Sequence, residues 1–552
     1  MTTPNGGDLL VQTLRALGVD TVFGVVSVHN LPLVEAVDRD LRFVPVRHEA
    51  TAVSAADAYG RARGSIGCAL TSTGTGAGNA AGSLVEALSA GTAVLHITGQ
   101  IDSDYLGQGR GFIHETKDQP GMLRAVSKHA ATVTSADEAG GILRDAAARA
   151  LAAPAGPASV EWPIDLQYAS QDLSHADFPA LPAAPRPDGA ALDAAVELLA
   201  TARRPLVWAG GGAIRARTEV AALLERINAG LLTSNSGRGT VPEDQDRVIG
   251  NFAAGPTGRA VLAEADVLLT IGTHFRSNET GDYSLQLPAA HVQIDIDRAS
   301  LGRVYPADAA LHGDAAEILA ALAPRIERRL AELGSAPDQA WTDRVRAARD
   351  EARARLYDSI GPQAAVCDAI RDALRGRGVI ARDVTIASSS WGNRLLPVHD
   401  PRDNIFPRGG GIGQGLGMGI GAALAHPERP TVVMAGDGGL AVHLGELLTV
   451  AQEKPRLTLV VFNDGGYGVL RNMQDRYFDR RSGVDLATPD FAALATACGL
   501  PYARIACQGD AARVIADAVD SEGPTLVEVD LTALGPMKTP FTPPVTIPGR
   551  QM

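Results

Sequence analysis

Two apolar runs in the C-terminal third end in the same abrupt way. VVMAGDGGL (Val432–Leu440) drops from aliphatic residues into Asp437 between glycines. LTLVVFNDGGYGV (Leu457–Val469) ends in Asn463, Asp464 and Gly465, with Asn463 placed 26 residues after Asp437. Apolar runs without alternation read as strands buried in a parallel sheet. Between them, GLAVHLGELLTVAQE reads as a helix opened by Gly438 and Gly439. In open parallel sheets, ligands bind at the carboxyl ends of the strands, where both polar residues fall. A carboxylate, an amide oxygen, a backbone carbonyl and water form the oxygen set that magnesium or calcium prefers. The free N–H groups of the glycines suit a phosphate. GDGG alone is an ordinary turn; the second oxygen donor, at a set distance, makes the pair suit a diphosphate bridged to a divalent cation.

The same alternation of strand and helix runs through the chain. TVFGVVS, RFVPV, IGCALTS, TAVLHIT and PASVEWP read as strands in the first part, with ATAVSAADAYGRA and NAAGSLVEALSA as helices between them. PLVWAGGG, DVLLTIG and HVQIDID mark a second unit, and the third contains the two runs above. The expectation is an α/β protein of three doubly wound parallel-sheet domains. A chain of 552 residues is too long for one core, which agrees. The boundaries read as 1–175, 190–330, a charged linker helix over 331–360, 361–535, and a Pro-rich tail or lid over 536–552. The stretch near 177–189, rich in Pro and Ala, reads as a linker.

A net charge of −13 argues against non-specific nucleic-acid binding. No apolar run approaches a membrane span, and MTTPNGGDLL lacks the pattern of a secretory signal, so the expectation is a cytoplasmic protein. Cys68, Cys367, Cys498 and Cys507 are scattered, which fits reduced thiols.

The GDGG and NDGGYG pair resembles the GDG…N signature of thiamine-diphosphate enzymes. NDGGYGVLRNMQ is similar to the branch that holds benzoylformate decarboxylase and acetolactate synthase. The resemblance implies that Asp437, Asn463 and the Gly465 carbonyl hold magnesium or calcium. It places Gly436, Gly438, Gly439, Tyr467 and Gly468 against the cofactor. Asp464 departs from the family's second Asn and adds negative charge. VPVRHEATAVSAADAYGRA resembles the family's RHEQAAAFMADGYAR motif, so Glu49 becomes the carboxylate that bonds the aminopyrimidine and activates the thiazolium carbon. By itself, Glu49 is an acid in a first helical turn, where the macrodipole favours it. RGGGIGQGLGMGIGAALAHPERP resembles the family's glycine-rich stretch. That likeness puts Ile412 at the wedge between the cofactor's rings and Gly410 where a carbonyl accepts from its amino group. Thr385, in ARDVTIASSS, falls where relatives contact the diphosphate. The likeness covers the whole chain. It implies pyrimidine-binding, central and diphosphate-binding domains, in a homodimer or homotetramer with active sites between subunits.

The implied reaction is non-oxidative decarboxylation of a small 2-oxo acid through an enamine. The alternative is an acetolactate-synthase-like carboligase or lyase. FGVVSVHNLPL places His29 after the first strand, similar to benzaldehyde lyase. GQGRGFIHETKDQ places His114 in a pattern most like the decarboxylases acting on 5-guanidino-2-oxopentanoate. Histidines titrate near neutrality and suit proton transfer. His48 and His129 read as structural. Ser72 and Asn278 stand where benzoylformate decarboxylase has histidines, so that enzyme's two-histidine arrangement is not expected. FAD in the central domain is not expected either, because Gly210–Gly212 lack the GxGxxG spacing.

Overall fold

The structure, a computed structural model, describes residues 3–174, 177–334 and 338–543. Its strands form three six-stranded sheets. The first contains β1 (Thr21–Gly24), β2 (Arg42–Pro45), β3 (Gly67–Thr71), β4 (Val94–Gln100), β5 (His129–Thr132) and β6 (Ala158–Pro163), in the order β2-β1-β3-β4-β6-β5. The second contains β7 (Pro205–Ala209), β8 (Gly230–Thr233), β9 (Val248–Gly250), β10 (Val267–Ile271), β11 (Ala290–Asp295) and β12 (Ala309–His312), in the order β12-β11-β10-β7-β8-β9. The third contains β13 (Val379–Arg382), β14 (Asn404–Ile405), β15 (Thr431–Gly436), β16 (Leu457–Asn463), β17 (Tyr502–Ile505) and β18 (Thr525–Asp530), in the order β14-β13-β15-β16-β18-β17. Every ladder is parallel. The first and third sheets thus share one topology, with strand order reversing between β1 and β3 and between β13 and β15. Such reversals open the crevices in which α/β sheets bind ligands.

The apolar runs form the expected central strands, and β15 is buried at every position. Strands without a long apolar run were not foreseen: β5, β8, β9, β12, β14 and β17 are short. The helix expected after Asp437 is broken. Asp437–Leu440, the 3-10 segment Ala441–Glu446 and Leu447–Glu453 follow one another, with His443 outside helical angles at φ −128° and ψ 43°. The charged tract expected as one solvated linker is also different. Helix Gln339–Ser359 buries Trp341, Val345, Ala348 and Ala352 in the core of the second sheet, because these four residues fall on one face. The Trp341 indole donates to the Pro205 carbonyl at 3.0 Å. Residues 177–188 carry no helix or strand. Of the tail, Thr539 N–H donates to Ser359 O at 3.0 Å, and residues 544–552 lie outside the described residues. Among the described residues no helix is long and apolar enough to cross a membrane.

One continuous core spans the first and third sheets. Its centre is the contact between helix Glu49–Arg63 and helix Gly415–Ala425. The first is rich in alanine and ends at Gly64 in the left-handed conformation (φ 67°). The second carries glycines at alternate positions. A Cβ at Gly421 would lie 2.0 Å from the Ala55 carbonyl oxygen, and one at Gly419 would lie 2.2 Å from a Val433 methyl. The glycines therefore let one helix backbone lie on the other. In the second sheet, Gly210 and Gly212 are explained likewise: their Cβ atoms would meet Gly272 backbone at 2.1 and 2.8 Å. Gly421→Ala is expected to destabilise the protein by about 2 kcal/mol through this backbone collision. Gly141→Ala, on the exposed face of helix Ala136–Leu151 with nothing within 4 Å, should stabilise by about 0.5–1 kcal/mol. Thermal melts of the two variants check the contrast.

Candidate active site

The third sheet brings the two oxygen donors of the sequence together. Gly436 of β15 pairs with Phe462 of β16, so Asp437 and Asn463 follow side by side at the carboxyl edge. Asp437 is only 2% exposed, and its Oδ2 accepts from Gly466 N–H at 2.7 Å. Burial raises its pKa, opposed by backbone N–H groups of Gly438 and Gly466. Among the described residues no ion pair compensates it. A buried carboxylate without a counter-charge is costly, and a divalent cation is the partner it fits. The Asn463 amide nitrogen donates to Glu528 Oε1 at 2.7 Å, and its amide oxygen accepts one N–H, from Gly465 at 3.3 Å, which leaves a second lone pair for a metal. Glu528 in turn accepts from the Tyr502 hydroxyl at 2.5 Å. Hydrogen-bond partners behind a ligand in this way fix how it faces a metal. Asp464 is pushed up to about 6, by burial first and then by the charge of Asp437.

The third expected ligand is placed differently. The Gly465 carbonyl already accepts from Leu486 N–H at 2.9 Å and from Arg471 Nη2 at 3.1 Å. Both its lone pairs are in use, so as positioned it is not a free ligand. Around the pair, the expected cofactor contacts converge. A Cβ at Gly436 would lie 3.1 Å from Thr385 Oγ1, and one at Gly438 would lie 2.8 Å from the Tyr467 ring. A Cβ at Gly439 would lie 3.5 Å from Ile412, which is 41% exposed. Gly468 leaves room for the Asp464 carboxylate, which lies 2.0 Å from where its Cβ would stand. Gly410 has φ +90° and open space around it.

The first sheet gathers a second cluster at its own reversal point. His29 Nε2 and His114 Nδ1 are 3.0 Å apart, with rings edge-to-face. So a two-histidine arrangement exists, built from positions other than Ser72 and Asn278. His29 is 5% exposed, and its pKa is lowered by burial and then by the neighbouring imidazole. One ring must donate and the other accept, so a single proton lies in the hydrogen bond between them. His114 itself sits at φ +71°, a strained position for a non-glycine residue. Its loop is held by Gln119, whose Oε1 accepts from Gly74 N–H at 2.8 Å and from Thr73 Oγ1 at 2.9 Å. Gly74 is required there, since a Cβ would lie 2.5 Å from the His114 carbonyl. Ser27 Oγ accepts from His29 N–H at 3.1 Å and meets Ser72 Oγ at 2.7 Å. Ser72 and Glu49 both flank Gly76, whose Cβ would lie 2.7 Å from one and 2.8 Å from the other.

Glu49 is buried, opens its helix, and accepts from Asn79 Nδ2 at 3.0 Å. Among the described residues no hydrogen bond joins it to Asp437, Asn463 or Gly410 of its own chain. His48 is the helix N-cap, accepting from Ala50 N–H, and lies 4.9 Å from the His443 ring. His129 is an edge-strand residue 3.6 Å from Asp145. Asn278 lies on the short helix Ser277–Thr280. Sequence reasoning passed over Asn79, Ser27, Gln119, Glu528 and Tyr502. Only Glu528 left a signal, as a lone acid inside the apolar strand TLVEVD.

The comparisons with known proteins agree with this geometry. Residues 4–122 match the family described as thiamine pyrophosphate enzyme, N-terminal TPP binding domain. Residues 192–322 match its central domain and residues 386–529 its C-terminal TPP binding domain. The chain is 33% identical over 535 residues to a "Probable 2-ketoarginine decarboxylase" of Pseudomonas aeruginosa, covering 96% of this chain and 94% of that protein. It is 30% identical over 561 residues to the acetolactate synthase isozyme 2 large subunit of Escherichia coli, covering 98% of each. Another acetolactate synthase large subunit, from Parasynechococcus marenigrum, is 30% identical over 568 residues, covering 98% of this chain and 90% of that one. Three parallel-sheet units, two of them presenting polar clusters at matching reversal points, therefore belong to a thiamine-diphosphate-dependent enzyme of the 2-oxo acid decarboxylase and acetolactate synthase family.

Proposed function

We propose that the protein is a non-oxidative decarboxylase of a small 2-oxo acid, working with thiamine diphosphate and a magnesium ion. When bound, the cofactor supplies a nucleophilic carbon and an electron sink for the electrons released with CO2. On this reading Asp437 and the Asn463 amide oxygen hold the metal. The Gly465 carbonyl joins them only on release of Arg471 and Leu486. Thr385 and the amides of Gly436, Gly438 and Gly439 face the diphosphate, with Tyr467 and Gly468 closing the turn. The Gly410 carbonyl would accept from the cofactor's amino group, and Ile412 would stand as the wedge between its rings. Glu49 is the activating carboxylate, contributed by a neighbouring subunit of a homodimer or homotetramer. This division corresponds to a pyrimidine-binding unit over 1–175, a central unit over 190–330 and a diphosphate-binding unit over 361–535.

The observation that carries the decarboxylase reading is the 3.0 Å contact between His29 and His114, linked through Ser27 and Ser72 to the position of Glu49. A histidine pair sharing a proton on the Glu49 side of the site would supply that proton to the product, which suits release of an aldehyde. Likeness to the relative described as a 2-ketoarginine decarboxylase supports the same outcome. Likeness to acetolactate synthases supports a second reading, in which the product would be an acyloin in place of a free aldehyde.

A panel of 2-oxo acids, 5-guanidino-2-oxopentanoate included, tests the proposal. CO2 and an aldehyde are expected, with turnover lost on removal of thiamine diphosphate and divalent ion and restored by both. Mass analysis that finds only acyloins selects the second reading. Glu49→Gln should retain cofactor binding yet lose turnover by about 10²–10⁴-fold; unchanged turnover would remove Glu49 from the mechanism. Burial, and then the charge of His114, lower the His29 pKa, so His29 stays neutral to lower pH than a free imidazole would. His114→Ala removes that charge and raises the His29 pKa. The acid limb of kcat/KM should therefore move to higher pH, on top of a loss of about 10²-fold. A limb that stays in place counts against the dyad.

A further inference from the structure

The loop that carries Gly410 and Ile412 is held from beneath by two carboxylates on different domains. Gly409 N–H donates to Glu86 Oε2 at 2.6 Å and Gly411 N–H to Glu86 Oε1 at 2.5 Å. Gly413 N–H donates to Asp383 at 3.0 and 3.1 Å, and Gly415 N–H at 3.2 Å. Asp383 also accepts from its neighbour Val384 N–H at 2.6 Å. Glu86 lies on the first-domain helix Thr75–Ala90, and Asp383 directly follows β13 of the third sheet. Both acids are buried. Among the described residues neither has a cationic partner, so backbone N–H groups supply all their compensation.

The spacing is regular. The N–H groups of residues 409, 411, 413 and 415 turn to the carboxylates. Residues 410 and 412 between them turn away: Gly410 has open space, and Ile412 is 41% exposed. The pinned positions have no room for a side chain, since a Cβ at Gly411 would lie 2.6 Å from Glu86 and one at Gly415 would lie 2.6 Å from Asp383 Cβ. The carboxylates thus pin a glycine-rich segment of turns, at 408–409 and 412–413, in which Gly410 and Gly413 stand at φ +90° and +87°. Glycine loses more conformational freedom on ordering than any other residue. A free GGGIG segment would leave the Gly410 carbonyl and the Ile412 side chain undirected.

We propose that Glu86 and Asp383 are positioning residues that preform the cofactor-facing surface of this loop, fixing where the Gly410 carbonyl and the Ile412 side chain stand before thiamine diphosphate arrives. The inference rests on the roles given above to Gly410 and Ile412. It makes Glu86 a second first-domain carboxylate serving the cofactor, alongside Glu49, and one that acts within its own chain. Its carboxylate aligns an amide ladder and transfers no proton.

Glu86→Gln puts an NH2 group against the N–H of Gly409 or Gly411 at unchanged size. In the cofactor-free protein, hydrogen exchange over 407–413 is expected to quicken about tenfold, the loss of one charge-assisted bond. Exchange in β15 should stay as in wild type. Thiamine diphosphate affinity, read by tryptophan fluorescence, should weaken by a similar factor. Asp383→Asn should do the same at 413–415. Glu86→Asp, which keeps the charge but shortens the reach, is the second variant should E86Q not be recovered folded, with the same local quickening expected. Equal quickening in the loop and β15 would show a general structural role and overturn the proposal. So would unchanged exchange with cofactor affinity within about twofold of wild type, below what a lost bond costs. Wild-type protein that fails to bind thiamine diphosphate would overturn the proposed function instead.

Discussion

Backbone lying on backbone, where helix Glu49–Arg63 crosses helix Gly415–Ala425, is the contact on which the site depends. Gly417 faces Ser54 and Thr51, and Gly421 faces the Ala55 carbonyl, each with no space for a side chain. The close approach merges the cores of the first and third sheets. It also sets the registration of everything at either end. At one end Arg47 N–H reaches the Glu446 carboxylate at 3.0 Å. Beyond the other helix lies the loop that Glu86 and Asp383 hold. Ala and Gly are weak contributors to hydrophobic area, so their use here is steric: they set a distance that larger residues would have widened.

A second theme is how acids are tolerated inside. Asp437, Asp383, Glu86 and Glu528 are all buried, and none is found in an ion pair among the described residues. Each is compensated by N–H or O–H donors: Gly466 for Asp437, loop amides for Asp383 and Glu86, Asn463 and Tyr502 for Glu528. Directed hydrogen bonds fix a carboxylate's orientation as well as its charge. That serves a site whose parts must be in place before a charged cofactor arrives. Asp437 differs from the others in keeping an oxygen available at a sheet edge, beside the amide oxygen of Asn463, which is the arrangement a hard cation uses.

Much of this was legible in the residues. Apolar runs without alternation identified the central strands, because strands buried on both faces carry their environment in their composition. The DGG and NDGG ends located the oxygen pair, because ligand sites of parallel sheets lie where strands stop. Less legible were the edge strands β5 and β17, only partly buried and without a long apolar run. Helix Gln339–Ser359 was misread as solvated because four buried residues among many charges carry little average hydrophobicity. The break at His443 was not foreseen; its ring meets that of His48 of another domain at 4.9 Å.

The sequence by itself determined the class of fold, the position of the metal-fitting pair and the candidate acid Glu49, because each is encoded by neighbours along the chain. Tertiary structure decided which distant groups meet. It placed His29 against His114, separated by 85 residues, and turned Asn463 by Glu528. It also filled both lone pairs of the Gly465 carbonyl and brought Glu86 beneath a loop more than three hundred residues away. Those contacts depend on strand order and on helix-to-helix distance, which arise from the packing of whole elements and are written in no single stretch of residues.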